Sequence, residues 1–300
     1  MKRITLFAAV ATAVLAALAL NVNAQSIKKI KGSGNIITEE RQASTDYTRI
    51  ETAVSIKLTV SDRKDGAFII QADDNIMPHI IINVSDGVLR ANLGGLTSKT
   101  VKNATINIEV PYSGLIDRIH ATADSNIKVI PTIESQKIAI IASGASRVEA
   151  KIQASDVDVN LSGASSADLD LRSDNFGAKL TGASSINPLV AFCSNCNIAA
   201  QGASKVAGVL TTTDFDCESS GASSVTLSGV ARTVEFEVSG ASRLHAPNFV
   251  IDNCTLEASG ASYAYINCLS SLTVDSTSGS KVTCLGECKT TILADPIIKK

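Results

Sequence analysis

The chain of 300 residues carries 27 Lys and Arg against 29 Asp and Glu, with 45% hydrophobic residues, 4% aromatic residues and no tryptophan. This near-balanced, slightly acidic charge gives no electrostatic footprint for nucleic acid or for an anionic membrane surface. The length is enough to bury a sizeable core.

The N-terminus reads as an export signal. Lys2 and Arg3 precede an apolar run from Leu6 to Leu20, and Val22-Asn23-Ala24 followed by Gln25 is an A-x-A-like cleavage site. Residues 1–24 are therefore expected to be a signal peptide, with the mature chain starting at Gln25. Loss of Lys2 and Arg3 moves the net charge from −2 to −4. No cysteine lies at the cleavage site, so no lipid anchor is expected, and no later stretch approaches the ~20 apolar residues of a membrane span. The expected location is the periplasm, the outer surface or the extracellular space.

Residues 25–120 form an irregular strand-rich part. Ile56, Leu58 and Val60 alternate, followed by Phe68-Ile69-Ile70, Ile80-Ile81-Ile82 and the alternating Ile106, Ile108 and Val110, with turn signals at Asp65-Gly66, Asp86-Gly87 and Gly94-Gly95. The expectation is wider, less regular coils that cap the C-terminal part of the chain. Gly32-Ser33-Gly34 lacks the Gly-x-x-x-x-Gly-Lys-Ser/Thr pattern and a following helix, so it is read as a turn rather than a phosphate loop.

From residue 121 to residue 300 the chain repeats itself. Ala121 to Ile127 is a degenerate first copy; the tetrapeptide Ser-Gly-Ala-Ser or a variant then recurs, with its last serine at Ser146, Ser165, Ser184, Ser204, Ser223, Ser242, Ser262 and Ser280. A period of about 19–20 residues is the mark of a solenoid. Apolar residues alternate before the corner, as in Val157, Val159 and Leu161, and after it, as in Ala167, Leu169 and Leu171. Period two means half-buried strands, so each repeat is read as a coil of two short strands. The coils must stack in parallel at about 4.8 Å each to cover their apolar faces. The crossover rule makes the solenoid a right-handed, single-stranded parallel β-helix. The corner glycine supplies the bend through a positive φ, and the small alanine beside it reflects like residues stacking on like.

The opening Lys31-Gly32-Ser33-Gly34-Asn35, the Ile50 to Val60 strand, the Asp86-Gly87-Val88-Leu89 turn and the serial corners together resemble the bacterial head GIN domain family of auto-transporter adhesins. The resemblance covers essentially the whole mature chain. It implies an exported right-handed parallel β-helix and an adhesive role. An autotransporter also carries a C-terminal translocator barrel, and no such barrel is expected within these 300 residues.

The seven cysteines all lie beyond residue 190. Cys193-Ser194-Asn195-Cys196 has C-x-x-C spacing, but no second C-x-x-C or His pair completes a zinc set. Cys196, Cys217 and Cys254 fall at core parity, where a thiol packs as a small hydrophobe. Cys268 and Cys288, 20 residues apart, are a candidate disulfide between adjacent coils. Outward parity supplies one charged column, Glu218, Glu237, Glu257 and Asp275, each five residues before a corner serine. It is read mainly as a solvated face and secondarily as a weak cation site. Asp168 with Asp170 and Asp214 with Asp216 are carboxylate pairs of the kind a glycosidase or lyase uses, yet such pairs are common on any solvated strand. His79, His120 and His245 have no triad context.

These features point to a non-catalytic exported scaffold, an adhesin, with no catalytic residues, no cofactor and no confident metal ligand. Its expected partner is a protein or glycan on the cell envelope or another surface, and self-association is compatible with the fold. The alternative is a carbohydrate-active β-helix enzyme, a polysaccharide lyase or hydrolase.

Overall fold

The computed structural model describes residues 29–97, 100–277, 279–293 and 297–299; the signal-peptide reading lies outside these residues. Among them there is no α-helix, only one 3₁₀ turn at Met77–His79. All other regular structure is β-strand, wound into a parallel solenoid of about nine turns.

Each regular repeat is one long strand rather than two short ones. Arg147–Leu161, Ser166–Leu180, Ser185–Ala200, Lys205–Ser219, Ser224–Val238, Arg243–Ala258 and Tyr263–Ser276 run from one corner to the next. Every strand pairs in parallel with its neighbours, as in Val148↔Ala167 and Val157↔Phe176, with bulges such as those at Ala167–Leu169 and Ile186–Leu189 after the corner absorbing the longer coils. A second corner lies within each strand, where inside-outside alternation slips by one residue. Ser155 and Asp156 both face outward, as do Asp174 and Asn175. The backbone ladder skips only one residue there, with Ala154↔Ser173 succeeded by Asp156↔Asn175, so the strand continues through the bend.

The Ser-Gly-Ala-Ser corner is held by three interactions. Its glycine has positive φ at every copy, +75° at Gly144 and +78° at Gly221. The alanine N–H donates to the carbonyl of the glycine one coil below, as from Ala183 to Gly163 and from Ala222 to Gly202, both at 2.7 Å. The last serine is buried, and at several copies its hydroxyl bridges backbone: Ser165 Oγ donates toward the carbonyls of Ala142 (3.0 Å) and Ser162 (2.9 Å) and accepts from the Ser162 N–H at 3.1 Å. Stacking leaves no room for a side chain on the glycine. A Cβ at Gly221 would lie 2.8 Å from the Gly202 carbonyl oxygen.

One continuous core fills the solenoid. Leu161, Leu180, Val238 and Leu256 are buried, while Glu218, Glu237 and Glu257 are exposed, as strand parity requires. Cys196, Cys217 and Cys254 are buried among them. Phe215 packs edge-on against Phe236 and Phe249, with ring centroids 5.7 and 5.8 Å apart.

The N-terminal part joins this core, and its rungs are not in chain order. Arg49–Thr52 and Lys57–Ser61 form a rung whose far side is occupied by later chain, Val88–Leu93 and Ile106–Pro111. Its near side carries Arg118–Ala121 and Asn126–Val129, which lead into the repeats. Corner geometry reaches one rung further than the repeat does in sequence. Val54 and Ser55 have positive φ (68° and 49°) without being glycine, as do Ala123 and Asp124 in the next copy.

Among the described residues the outer end, where the sequence predicts wider coils, is closed by antiparallel strands. Ala67–Asp73 pairs antiparallel with Ile106–Pro111, Ile36–Gln42 with Ala67–Asp73, and Ile80–Ser85 with Val88–Leu93. The last pair turns on Asp86-Gly87, both at positive φ, the geometry of a two-residue hairpin. These strands occupy a parallel edge that would otherwise template association.

Lys31-Gly32-Ser33-Gly34-Asn35 is tied into this cap. The Gly34 N–H donates to buried Asp73 at 2.6 Å, and Ser33 Oγ and Asn35 Nδ2 donate to Asp74 at 2.6 and 2.8 Å. These three donors are filled by the chain's own carboxylates, and the bonds from Ser33 and Asn35 hold the Asp74 carboxyl below the usual range.

The corner geometry sets the cost of changing it. Gly221→Val should destabilise the fold by at least ~1 kcal/mol, because a β-branched residue is strained at positive φ and meets the coil beneath; thermal melting measures it. Ser165→Ala should cost about 1 kcal/mol through its lost hydrogen bonds. Ser204→Ala, whose buried hydroxyl has no partner, should stay within about 0.5 kcal/mol of the parent.

Candidate interaction face

The stretch between the second corner and the Ser-Gly-Ala-Ser corner presents three outward columns. Register brings Asp156, Asn175, Asn195 and Asp214 into the first, and Asp158, Gly177, Asn197, Asp216 and Glu235 into the second. The third contains Glu218, Glu237, Glu257 and Asp275 on four successive coils. The expected charged column thus exists as an uninterrupted file.

The first column satisfies itself. Asn175 Nδ2 donates to Asp156 at 2.8 Å and Asn195 Nδ2 to the Asn175 oxygen at 2.9 Å. Beside it, Gly177 leaves a gap in the second column, and a depression of about 500 Å³ opens there, lined by Asp158, Asn195, Asn197, Asp214 and Asp216 among others. Lys137 pairs with Asp158 at 3.0 Å on its flank.

The third column has no such relief. Among the described residues none of its four carboxylates forms an ion pair. Partial desolvation, then the charges of Glu218, Glu257, Asp216 and Glu235, hold the Glu237 carboxyl above the usual carboxylate range. The file runs along a flat sheet, so its oxygens do not converge. Among the described residues no three His, Cys, Asp or Glu side chains are grouped to hold a metal ion.

The face beyond the corner has the opposite character. The first residue after each corner serine stacks as Lys205, Ser224, Arg243, Tyr263 and Lys281, with Arg147 lower in the same column. Sequence reasoning missed this basic file, although its signal was available at a fixed place in the repeat. Asp168 and Asp170 lie on this side, in a groove of about 380 Å³ that also holds Lys128, Glu149 and Lys151. Lys128 pairs with Glu149 at 2.6 Å and Arg147 pairs with Asp168. Asp214 and Asp216 are on the opposite face, in the depression. His79, His120 and His245 are scattered: His79 ends the 3₁₀ turn, His120 is in an early rung, and exposed His245 packs 5.6 Å from the Tyr265 ring.

The acidic file should respond to pH with a definite sign. The raised Glu237 pKa means that the folded state binds its proton more readily than the unfolded state, so this group's contribution to stability falls as pH rises through that pKa. Glu237→Gln should therefore raise the melting temperature slightly at neutral pH, and the difference should vanish below the usual glutamate range. Calorimetric scans of both proteins across pH check this.

A family profile described as "Putative auto-transporter adhesin, head GIN domain" matches residues 46–207 and 191–288. Among solved structures, the chain resembles one described as a putative adhesin from Parabacteroides distasonis (TM-score 0.53, 16% identity, 90% of this chain and 99% of that one). Another, from Bacteroides fragilis, gives 0.53 at 15% identity over 88% and 98%, and a third, from Parabacteroides merdae, gives 0.50 at 13% over 90% and 98%. At such identities these likenesses establish a shared fold. Comparison with curated proteins gave no match. With the profile spanning residues 46–288 and the stacked corners among them, the chain belongs to the head GIN domain family.

Proposed function

We propose that the protein is a non-catalytic, exported scaffold that uses its acidic face to hold a cationic group on a protein or glycan of the cell envelope or a surface. The observation that carries this reading is the unpaired file of Glu218, Glu237, Glu257 and Asp275 on a flat sheet, beside the exposed Asp214, Asp216 and Glu235. Aligned like charges repel, and a complementary cation relieves them. A flat, hydrated array favours broad electrostatic contact over a tight chelate. Export is supported by the leader pattern in residues 1–24 and by membership of an adhesin family.

Glycan arrays and immobilised envelope proteins, probed with the purified protein, test the proposal. Binding should weaken between 0.1 and 1 M salt, as the Debye length falls from about 10 to about 3 Å. It should be largely lost in the variant with Glu218, Glu237 and Glu257 changed to Gln and Asp275 to Asn. Binding that ignores both changes would remove the acidic face from the function. Calcium should bind weakly at most, because a flat file lacks the 6–8 converging oxygens of a tight site. Micromolar stoichiometric binding abolished by Glu237→Gln, measured by calorimetric titration, would instead make the column a metal site.

The Asp168 groove supports a second reading, a polysaccharide lyase or hydrolase, because it gathers carboxylates with lysines. The ion pairs made by Glu149 and Asp168 weigh against it, since both carboxylates already hold cations. Polysaccharide cleavage abolished by Asp168→Asn or Asp170→Asn would establish that reading.

A further inference from the structure

Three cysteines lie close together toward the C-terminal end of the solenoid. Cys284 ends the strand Lys281–Cys284, Cys288 precedes the strand Lys289–Ile292, and Cys268 lies in the coil beneath. The Sγ atoms of Cys284 and Cys288 are 3.8 Å apart, in van der Waals contact, and both residues are partly exposed. Cys268 is fully buried, and its Sγ donates toward the carbonyls of Ser271 (3.1 Å) and Asp252 (3.5 Å).

The loop between the two exposed thiols is clamped in place. Leu285 N–H donates to the Ile266 carbonyl at 2.9 Å, and a Cβ on Gly286 would fall 1.7 Å from the Cys268 carbonyl oxygen. Only a glycine loop can lie this close to the coil beneath. The backbone therefore holds the two thiols in contact.

We propose that Cys284 and Cys288 form a disulfide that locks the turn between the strands Lys281–Cys284 and Lys289–Ile292. This differs from the Cys268–Cys288 pair suggested by coil spacing. Cys268 also lies within hydrogen-bonding reach of Cys288, but it is fully buried and would have to leave its carbonyl partners, whereas Cys284 and Cys288 are both partly exposed and can meet an oxidant. The oxidant is a small or protein disulfide, R–S–S–R, of the kind present in an exported protein's compartment. The Cys288 thiolate attacks one of its sulfurs and releases one thiolate. Cys284, as thiolate, then attacks the Cys288 sulfur of the mixed disulfide and releases the second. Two protons from the cysteines end on two R–SH molecules, and two electrons pass from the cysteine pair to the oxidant. Burial pushes the Cys284 thiol up to about 11 and the Cys268 thiol up to about 12, so closure should accelerate with rising pH.

Oxidation in the cell rests on the reading that the chain is exported; the chemistry itself does not. The purified full chain is equilibrated with oxidised glutathione, alkylated and digested with trypsin. Cleavage after Lys281 and Lys289 places both cysteines in the single peptide from Val282 to Lys289. The expected result is that this peptide becomes two hydrogens lighter and resists alkylation, and that the oxidised protein melts higher than the reduced one. Cys268→Ala should retain both effects, and Cys284→Ser should lose both. A cross-link from this peptide to the one containing Cys268, or full alkylation of Cys284 and Cys288 after oxidation, would overturn the proposal. Protein recovered reduced from cells but closing the Cys284–Cys288 bond in vitro would refute export and leave the pairing intact.

Discussion

The fold depends on one close approach: each corner glycine rests on the glycine of the coil beneath. At Gly163, Gly182, Gly202, Gly221, Gly240 and Gly260 an added Cβ would lie 2.7–2.9 Å from the carbonyl oxygen below, while the adjacent alanine N–H bonds to that same carbonyl. A side chain would break the hydrogen bond and the positive-φ bend together. Because the contact recurs in each repeat, it holds every coil in one register. A slip of one residue would turn Leu161 or Leu180 outward and bring a carboxylate into the core.

Fixed register makes the surface columnar. Whatever residue type recurs at one place in the repeat becomes a file, and the chemistry of a file depends on whether its members can satisfy one another. Asn175 and Asn195 can, because an amide is both donor and acceptor. Glu218, Glu237, Glu257 and Asp275 cannot, because carboxylates only accept and carry like charge. Their repulsion opposes stacking, and the core beneath them, with Phe215, Phe236 and Leu256 buried, outweighs it. Under the proposed function, a cationic partner relieves that repulsion.

A solenoid must also end. At the first rung the chain adds antiparallel strands and ties Ser33 and Asn35 to Asp74. At the other end the strands are short, Lys281–Cys284 and Lys289–Ile292, and fewer ladder bonds hold them. The cysteine pair lies where a covalent tie would compensate for that shorter ladder.

The amino-acid sequence by itself determined the repeat, its parity and its corners, since these rest on local rules: alternation assigns faces, and a glycine every 19–20 residues assigns bends. The acidic file was legible for the same reason, as a fixed offset from the corner serine. The basic file was equally local, although its interrupting serines and tyrosine masked it. Only the tertiary structure decided the N-terminal order, in which Val88–Leu93 and Ile106–Pro111 stack outside Arg49–Thr52 and Lys57–Ser61, because pairing of irregular segments depends on which edges remain free. It also placed the Cys284 and Cys288 sulfurs 3.8 Å apart across the Gly286 loop, a contact that coil spacing alone does not give, because the path of a loop sets which side chains meet.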